Sequence, residues 1–174
     1  MAAVKRWTDD DVSGNARIKA VFDDIRLVRK SDFVNNFWRG LCNQPDLLER
    51  TWANLKQVMV NEGALDPLTK ELIYVAVSAV NGCSYCVHSH TAAARAKGMS
   101  PAQHEELLAV IGMAMQTNGI VTALQIPVDK EFLVQCTAAY MIFSSVASSG
   151  VISSTIRPWR HTRMRSDRFM ISGR

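Results

Sequence analysis

Two cysteines and two histidines lie within eight residues, in the stretch CSYCVHSH that follows an Asn-Gly turn signal. Cys83 and Cys86 form a C-x2-C pair, and His90 follows Cys86 by four residues. Successive residues of an α-helix advance by about 100°, so Cys83, Cys86 and His90 share a face, whereas His88 lies about 140° from Cys83. Thiols and an imidazole on one face can support redox chemistry, nucleophilic catalysis or metal binding.

Both cysteines fall in the first turn of a helix that we predict from about Cys83 to Lys97, before Gly98. Unpaired N–H groups and the positive end of the helix dipole favour an anion there, and such a setting lowers the pKa of a thiol. His90 can then serve as a proton acceptor or donor. The pattern therefore favours a nucleophilic thiolate.

One acidic residue, Glu71, interrupts the apolar segment LTKELIYVAVSAV upstream. If the chain reverses at Asn81-Gly82 into an antiparallel helix pair, Glu71 lies about ten residues before the turn and His90 about eight after it. At 1.5 Å of rise per residue, the mismatch along the axis is only about 3 Å. We therefore predict that the carboxylate meets the imidazole, directly or through one water, in a relay from Glu71 through His90 to Cys86.

The resulting spacing, E-x11-C-x2-C-x3-H, resembles the core of the alkylhydroperoxidase D (AhpD) family within the carboxymuconolactone decarboxylase-like superfamily. The resemblance extends from about residue 15 to 128, including the GMS turn and the ALQIP segment. It implies an all-α helical bundle that assembles as homo-trimers or hexamers. It also implies a thiol-dependent peroxidase of antioxidant type that reduces organic hydroperoxides or hydrogen peroxide.

The same resemblance assigns roles to the residues of the motif. Cys86 would be the peroxidatic nucleophile and would become a sulfenic acid, which Cys83 would resolve to a Cys83–Cys86 disulfide. His90 and Glu71 would form the proton relay, and a dithiol or thioredoxin-like donor would restore the thiols. We expect no cofactor and no metal. Lactone decarboxylation is disfavoured, because the decarboxylases of the superfamily lack this cysteine pair.

Tyr85 marks a departure from the family pattern. The best-known peroxidase of the family has a second histidine directly before the second cysteine, where this chain has Tyr85. A tyrosine can still donate a hydrogen bond, so we include Tyr85 as a supporting residue. The role of that histidine in proton transfer does not carry over.

Other interpretations of the motif remain open. Cys83, Cys86, His90 and Glu71 could form a mixed-ligand zinc site, although compact zinc sites usually draw ligands from two separated pairs. A non-catalytic redox sensor, a general disulfide oxidoreductase and a protein whose helices only assemble are further alternatives. If the two cysteines were merely small buried hydrophobes, the spacing of His90 and Glu71 would be coincidental.

Helical periodicity dominates the chain, and no alternating apolar and polar run suggests a sheet. We predict the Pro67 helix to be buried, because it is apolar almost all round. A capping box formed by Ser100 and Gln103 is expected to open the last core helix. The predicted helices cover about residues 15–29, a segment from Ser31 to about Leu41, Pro45 to about Asn61, Pro67 to Val80, Cys83 to Lys97 and Pro101 to Leu124.

The chain of 174 residues, of which 48% are hydrophobic, is long enough for one core domain, which we place at residues 1–128. A C-terminal extension, residues 129–174, is predicted to contain a helix and then an arginine-rich tail. Residues 132–156 lack charge, but Ser and Thr crowd their second half, so a helix packed on protein is favoured over a membrane span.

Charge and cysteine content limit the partners and the compartment. Residues 1–156 hold 14 Lys and Arg against 15 Asp and Glu, whereas residues 157–174 hold six Arg and one Asp. The net charge of +4 therefore reflects the tail, and a nucleic-acid partner is disfavoured. The sparse cysteines and a start without an apolar signal core favour a cytoplasmic location.

Overall fold

The computed structural model describes residues 4–133, and this part contains no β-strand, which confirms the predicted all-α class there. Residues 4–126 belong to one unit. The predicted extension lies outside the described residues, except for residues 129–133. Within residues 4–126 the helices are α1 (Asp9–Ser13), α2 (Ala16–Arg29), α3 (Asn36–Leu41), α4 (Pro45–Leu55), α5 (Pro67–Val80), α6 (Ser84–Ala96) and α7 (Pro101–Leu124), and a π-helical turn (Lys56–Val60) continues α4.

Side-chain caps explain where several helices begin. The Asp66 carboxylate accepts hydrogen bonds from the backbone N–H groups of Leu68 and Thr69 at the start of α5. Ser100 and Gln103 form the predicted capping box at the start of α7. These caps satisfy N–H groups that have no partner inside the helix, and both predicted helix starts are confirmed.

The predicted start of a helix at Ser31 is wrong, because α3 begins at Asn36. Lys30 has a left-handed backbone conformation with φ of 52°, which ends α2. The Ser31 hydroxyl then accepts a hydrogen bond from the Phe33 N–H, two residues along the chain. Ser31 therefore stabilises a local turn instead of capping a helix.

Helices α1 to α4 enclose the main apolar core. Trp38 packs edge to face against Trp52, with ring centroids 5.3 Å apart. The Trp52 indole donates a hydrogen bond to Asp24 Oδ2 at 2.6 Å, so the polar edge of this large side chain is satisfied. The core consists of ten buried residues: Val12, Ile18, Val21, Phe22, Ile25, Val34, Trp38, Cys42, Leu48 and Trp52.

Helices α5 and α6 form the predicted hairpin, with a short turn at Asn81-Gly82. Gly82 has φ of +66°, a left-handed conformation that glycine adopts without a Cβ penalty. Gly98, just after α6, has φ of +94° and ends that helix as predicted. Positive φ at both flanking glycines therefore sets the limits of α6.

The prediction that α5 is buried all round is wrong for the described chain. Val75 and Ser78 are buried, but Ile73, Val77 and Val80 are exposed. An apolar composition indicates that a helix avoids water, but it does not specify what covers each face. One face of α5 thus lacks cover from residues 4–133.

Helix α7 is also largely exposed, and Ile111 is its buried residue. By length and composition alone, α7 could cross a membrane, but core helices of soluble proteins pass the same test. Gly112 and Gly119 do not interrupt it. The uncharged segment 132–156 lies outside the described residues, apart from residues 132 and 133.

Candidate active site

Glu71 is a buried carboxylate on the first half of α5, with 6% of its surface exposed. Its Oε2 lies 2.7 Å from Nδ1 of His90, and its Oε1 accepts a hydrogen bond from Nζ of Lys97 at 3.1 Å. The predicted contact between Glu71 and His90 is therefore present and direct. One carboxylate therefore contacts two side chains: His90 in α6 and Lys97, the residue that follows α6.

Two opposing effects act on the pKa of Glu71. Burial raises the pKa, because it disfavours the charged form, but the hydrogen bonds from His90 and Lys97 lower it more, and the net pKa is below the ordinary value. Glu71 is therefore ionised at neutral pH and can only accept hydrogen bonds. It follows that Nδ1 of His90 carries a hydrogen and donates a hydrogen bond to Glu71, which leaves Nε2 for proton exchange.

Tyr74 fixes the plane of the imidazole. Its ring stacks on His90 with centroids 3.6 Å apart and an angle of 17° between the planes. The ring of His90 thus has an aromatic neighbour on one face and a carboxylate at Nδ1. Both contacts reduce the orientations that the imidazole can take.

Cys83 and Cys86 lie at the start of α6 and are joined by a disulfide bond. Cys83 is the N-cap residue, and its Sγ accepts a hydrogen bond from the Cys86 N–H at 3.3 Å. The pair thus lies at the positive end of the helix, as the sequence predicts. His90 follows Cys86 by one helical turn.

Several of these groups, but not Cys83, line a cavity of about 520 Å³, a volume within the usual range for small-molecule sites. Cys86, His90, Glu71 and Tyr85 all contribute to its wall. The Tyr85 hydroxyl accepts a hydrogen bond from the Phe37 N–H at 3.1 Å, which keeps its own proton available for donation. Apolar residues dominate the remaining wall: Val28, Leu55, Met59, Val60, Pro67, Phe37, Ala93 and Ala96.

The sequence did not reveal Lys97 or Tyr74 as part of this site. A lysine near the end of a helix is ordinary, since cations are favourable at that position. The available signal was spacing, because Lys97 follows His90 by seven residues, about two turns, on the same face. Tyr74 lies seven residues before Asn81, in a segment whose apolar composition gave no sign of a contact with His90.

Other candidates stay apart from the site. Cys42 is a free, buried cysteine of the α1–α4 core, and burial raises the pKa of its thiol to about 11. His88 is exposed and does not line the cavity. Among residues 4–133, no group of three or more His, Cys, Asp and Glu side chains is arranged to hold a metal ion.

Comparison with known proteins places the chain in a family. Residues 45–129 match the profile of the carboxymuconolactone decarboxylase family. The chain is also similar to the crystal structure of the alkylhydroperoxidase AhpD core from Rhodospirillum rubrum, with 67% identity and a TM-score of 0.76. That match covers 76% of this chain and 98% of the other. The chain belongs to the AhpD-like carboxymuconolactone decarboxylase superfamily.

Curated relatives of this AhpD-like chain are more distant. It is 38% identical over 77 residues to the alkyl hydroperoxide reductase AhpD of Solibacter usitatus, which is 44% of this chain and 42% of that protein. It is 39% identical over 62 residues to uncharacterized protein 4 of the cox locus in Paracoccus denitrificans, which is 36% of this chain and 53% of that protein. The chain thus spans about half the length of the curated relatives it matches.

Proposed function

We propose that the chain is a thiol-dependent peroxidase that reduces organic hydroperoxides or hydrogen peroxide in antioxidant defence. The observation that carries the proposal is the cavity whose wall contains both Cys86 and the hydrogen-bonded pair of His90 and Glu71. The names of the AhpD relatives from Solibacter usitatus and Rhodospirillum rubrum support the reaction class.

The reaction begins with both cysteines reduced, and Nε2 of His90 takes the proton of the Cys86 thiol, which gives a thiolate and a charged imidazole. The Cys86 thiolate attacks the terminal oxygen of the hydroperoxide, a sulfur–oxygen bond forms and the oxygen–oxygen bond breaks. The leaving alkoxide takes a proton from His90, and the Glu71 carboxylate stabilises the charged imidazole before that transfer. The products are an alcohol, or water from hydrogen peroxide, and a sulfenic acid on Cys86.

Cys83 then completes the cycle. Its sulfur attacks the sulfur of the Cys86 sulfenic acid, and the hydroxyl group leaves with a proton as water, which forms the Cys83–Cys86 disulfide. A dithiol or a thioredoxin-like protein supplies two electrons and two protons through exchange and returns both thiols. In this cycle the disulfide at the start of α6 is the oxidised resting form.

Tyr85 has a supporting role in this proposal. Its hydroxyl oxygen is occupied by the Phe37 N–H, so its proton can point to a peroxide oxygen in the cavity. This contact orients the substrate and does not replace the proton relay. Its removal is therefore expected to slow the reaction modestly.

The test is consumption of hydrogen peroxide and cumene hydroperoxide with dithiothreitol as reductant. Cys86→Ser is expected to reduce turnover at least about 100-fold, because serine is a much weaker nucleophile. Cys83→Ser should accumulate a sulfenic acid that dimedone traps. Cys42→Ala is the matched control and should retain turnover, because Cys42 lies in the α1–α4 core.

Turnover by Cys86→Ser at the wild-type rate would contradict the proposal. Stoichiometric zinc by elemental analysis, together with thiols that do not react with hydroperoxide, would instead favour a zinc-binding module. Loss of two thiols per hydroperoxide without turnover would indicate a redox sensor. Reduction of protein disulfides without peroxide consumption would indicate a general disulfide oxidoreductase.

We also propose assembly as a homo-trimer or hexamer in the cytoplasm, with residues 1–128 as the core and 129–174 as an extension. The exposed apolar residues of α7, such as Val110, Met113 and Ile120, support assembly, because large exposed apolar surfaces usually mark contacts. Light scattering after size-exclusion chromatography measures the mass. A monomer at micromolar concentration would contradict this proposal.

A further inference from the structure

Arg29, the last residue of α2, lines the cavity without a carboxylate partner. Arg17, Arg26 and Arg39 each form an ion pair, whereas Arg29 makes no hydrogen bond or ion pair within residues 4–133. Its contacts are with aromatic rings: the guanidinium lies 5.7 Å from the Trp38 centroid and 5.8 Å from the Trp52 centroid. These cation–π contacts hold the side chain and leave its N–H donors unused.

The position of Arg29 also connects it to the reacting groups. Partial desolvation lowers the pKa of Arg29, and the negative charge of Glu71 acts in the opposite direction. Arg29 remains charged at neutral pH, it is exposed to solvent, and it is one of the residues that line the cavity. An incoming anion could therefore replace water at the guanidinium.

Two residues of the cavity wall, Trp38 and Asn35, each have one buried polar atom without a partner among the described residues. These atoms are the indole Nε1 of Trp38, a donor, and Oδ1 of Asn35, an acceptor. A buried polar atom without a hydrogen bond destabilises a protein, and neither atom is accessible from the cavity, so only Arg29 among these residues favours a ligand. Trp38 lies near Arg29, because the guanidinium is over its ring.

The charges of the cavity wall favour an anionic ligand. Arg29 and Lys97 are positive, Glu71 is negative, and Lys97 is already paired with Glu71. Among these three side chains one positive charge is uncompensated, and that charge is on Arg29. A molecule with an apolar body and one anionic group matches this combination of apolar wall and free cation.

We propose that Arg29 binds the carboxylate of the substrate and that the preferred substrates are hydroperoxides of carboxylic acids, such as fatty-acid hydroperoxides. The proposal rests on the peroxidase function above. The guanidinium donates charge-assisted hydrogen bonds to the carboxylate, the alkyl chain lies on the apolar wall, and the peroxide group reaches Cys86. Arg29 is a binding residue and takes no part in the proton relay.

Steady-state kinetics with a hydroperoxy fatty acid and its methyl ester test the proposal, with neutral dithiothreitol as reductant. Arg29→Gln is expected to raise KM for the acid about 10- to 100-fold, with kcat nearly unchanged, and to leave KM for the ester within about twofold. Arg29→Lys keeps the charge but not the planar guanidinium, so its KM for the acid should lie between those of wild type and Arg29→Gln. Arg50→Gln, an exposed arginine on α4 outside the cavity, is the matched control.

If Arg29→Gln raised KM equally for the acid and the ester, the proposal would be overturned. It would also be overturned if KM changed for neither substrate. A second set of assays replaces dithiothreitol with dimercaptosuccinate, a dithiol that carries carboxylates. If the effect of Arg29→Gln appears only with that dithiol and a neutral hydroperoxide, Arg29 recognises the reductant and the proposal is wrong.

Direct binding separates this proposal from the peroxidase proposal. Trp38 and Trp52 lie beside Arg29, so their fluorescence should report binding of linoleate, which is not an oxidant. Wild-type protein is expected to bind linoleate more tightly than methyl linoleate, and Arg29→Gln should remove the difference. Binding that follows this pattern without peroxide turnover would leave the anion site standing and end the peroxidase proposal. Peroxide turnover without any preference for the acid would support the peroxidase proposal and end the proposal of an anion site at Arg29.

Discussion

Helices α1 to α4 and helices α5 to α7 bury apolar surface to very different extents. The first group shares a core of ten buried residues, including Phe22 and Trp38. In the second group the buried apolar residues are few: Val75, Ala94, Met99 and Ile111. The groups that could do chemistry lie in the second group, where the buried carboxylate of Glu71 and helix caps provide the specific contacts.

This difference indicates that stability and chemistry depend on different contacts. Helices α1 to α4 share their own core, and two residues of these helices, Arg29 and Trp38, form part of the cavity wall. The α5–α6 hairpin holds the sulfur pair and the imidazole by hydrogen bonds while leaving an apolar face open. Substitutions in the two regions should therefore affect different measurements.

The largest effect on stability is expected from Phe22→Ala in the α1–α4 core. Phe22 has no exposed surface, and loss of a buried phenylalanine side chain costs about 3–5 kcal/mol. Urea denaturation at fixed protein concentration measures the loss. Phe33→Ala is the matched control: Phe33 is 72% exposed, and the expected change is within about 0.5 kcal/mol. Similar losses in the two variants would contradict the assigned core.

Glu71→Gln tests whether the hairpin depends on its buried charge. At pH 7 the loss in unfolding free energy is expected to be about 1–3 kcal/mol, because Lys97 and His90 lose a charged partner. The lowered pKa of Glu71 sets the pH dependence: its stabilising effect is complete above the ordinary value of 4.5 and is lost as the pH falls through the lower folded value. The difference from wild type should therefore shrink below pH 4.5.

The control for this variant is Glu106→Gln, an exposed glutamate on α7. It should change stability little at either pH. A pH-independent loss in Glu71→Gln would mean that shape, and not charge, makes Glu71 important to the hairpin.

The Asp66 cap gives a smaller effect. Asp66→Ala removes the acceptor for two N–H groups at the start of α5 and should cost about 1 kcal/mol. Thermal unfolding checks the loss, and Asp32→Ala, at an exposed position before α3, provides the comparison. If both variants unfold at the same temperature, the cap does not stabilise the hairpin.

Tyr85→Phe is expected to have the smallest effect on stability. The variant loses the acceptor of the Phe37 N–H, but both residues are exposed and water can replace the hydroxyl, so the cost should stay below about 0.5 kcal/mol. Peroxide turnover is the informative measurement. A decrease of less than about tenfold fits a supporting role, and a loss as large as that of Cys86→Ser would place Tyr85 in the relay.

The contact between Glu71 and His90 was predictable because it depends on helix rise and a short turn, both of which are local properties. The caps at Asp66 and Ser100 were predictable for the same reason. The exposure of Ile73 and Val77 was not, since composition does not identify the element that covers a face. The partners of Arg29 were not predictable either, because they come from α3 and α4 and depend on how helices pack in three dimensions.

The glycines at the two ends of α6 have a consequence for how this helix can evolve. Gly82 and Gly98, both with positive φ, enclose the sulfur pair, the imidazole and Lys97. One added or deleted residue between Cys86 and His90 would rotate the imidazole by about 100° and separate it from Glu71. Natural variation in this interval is therefore expected to alter the kind of side chain and to preserve the number of residues.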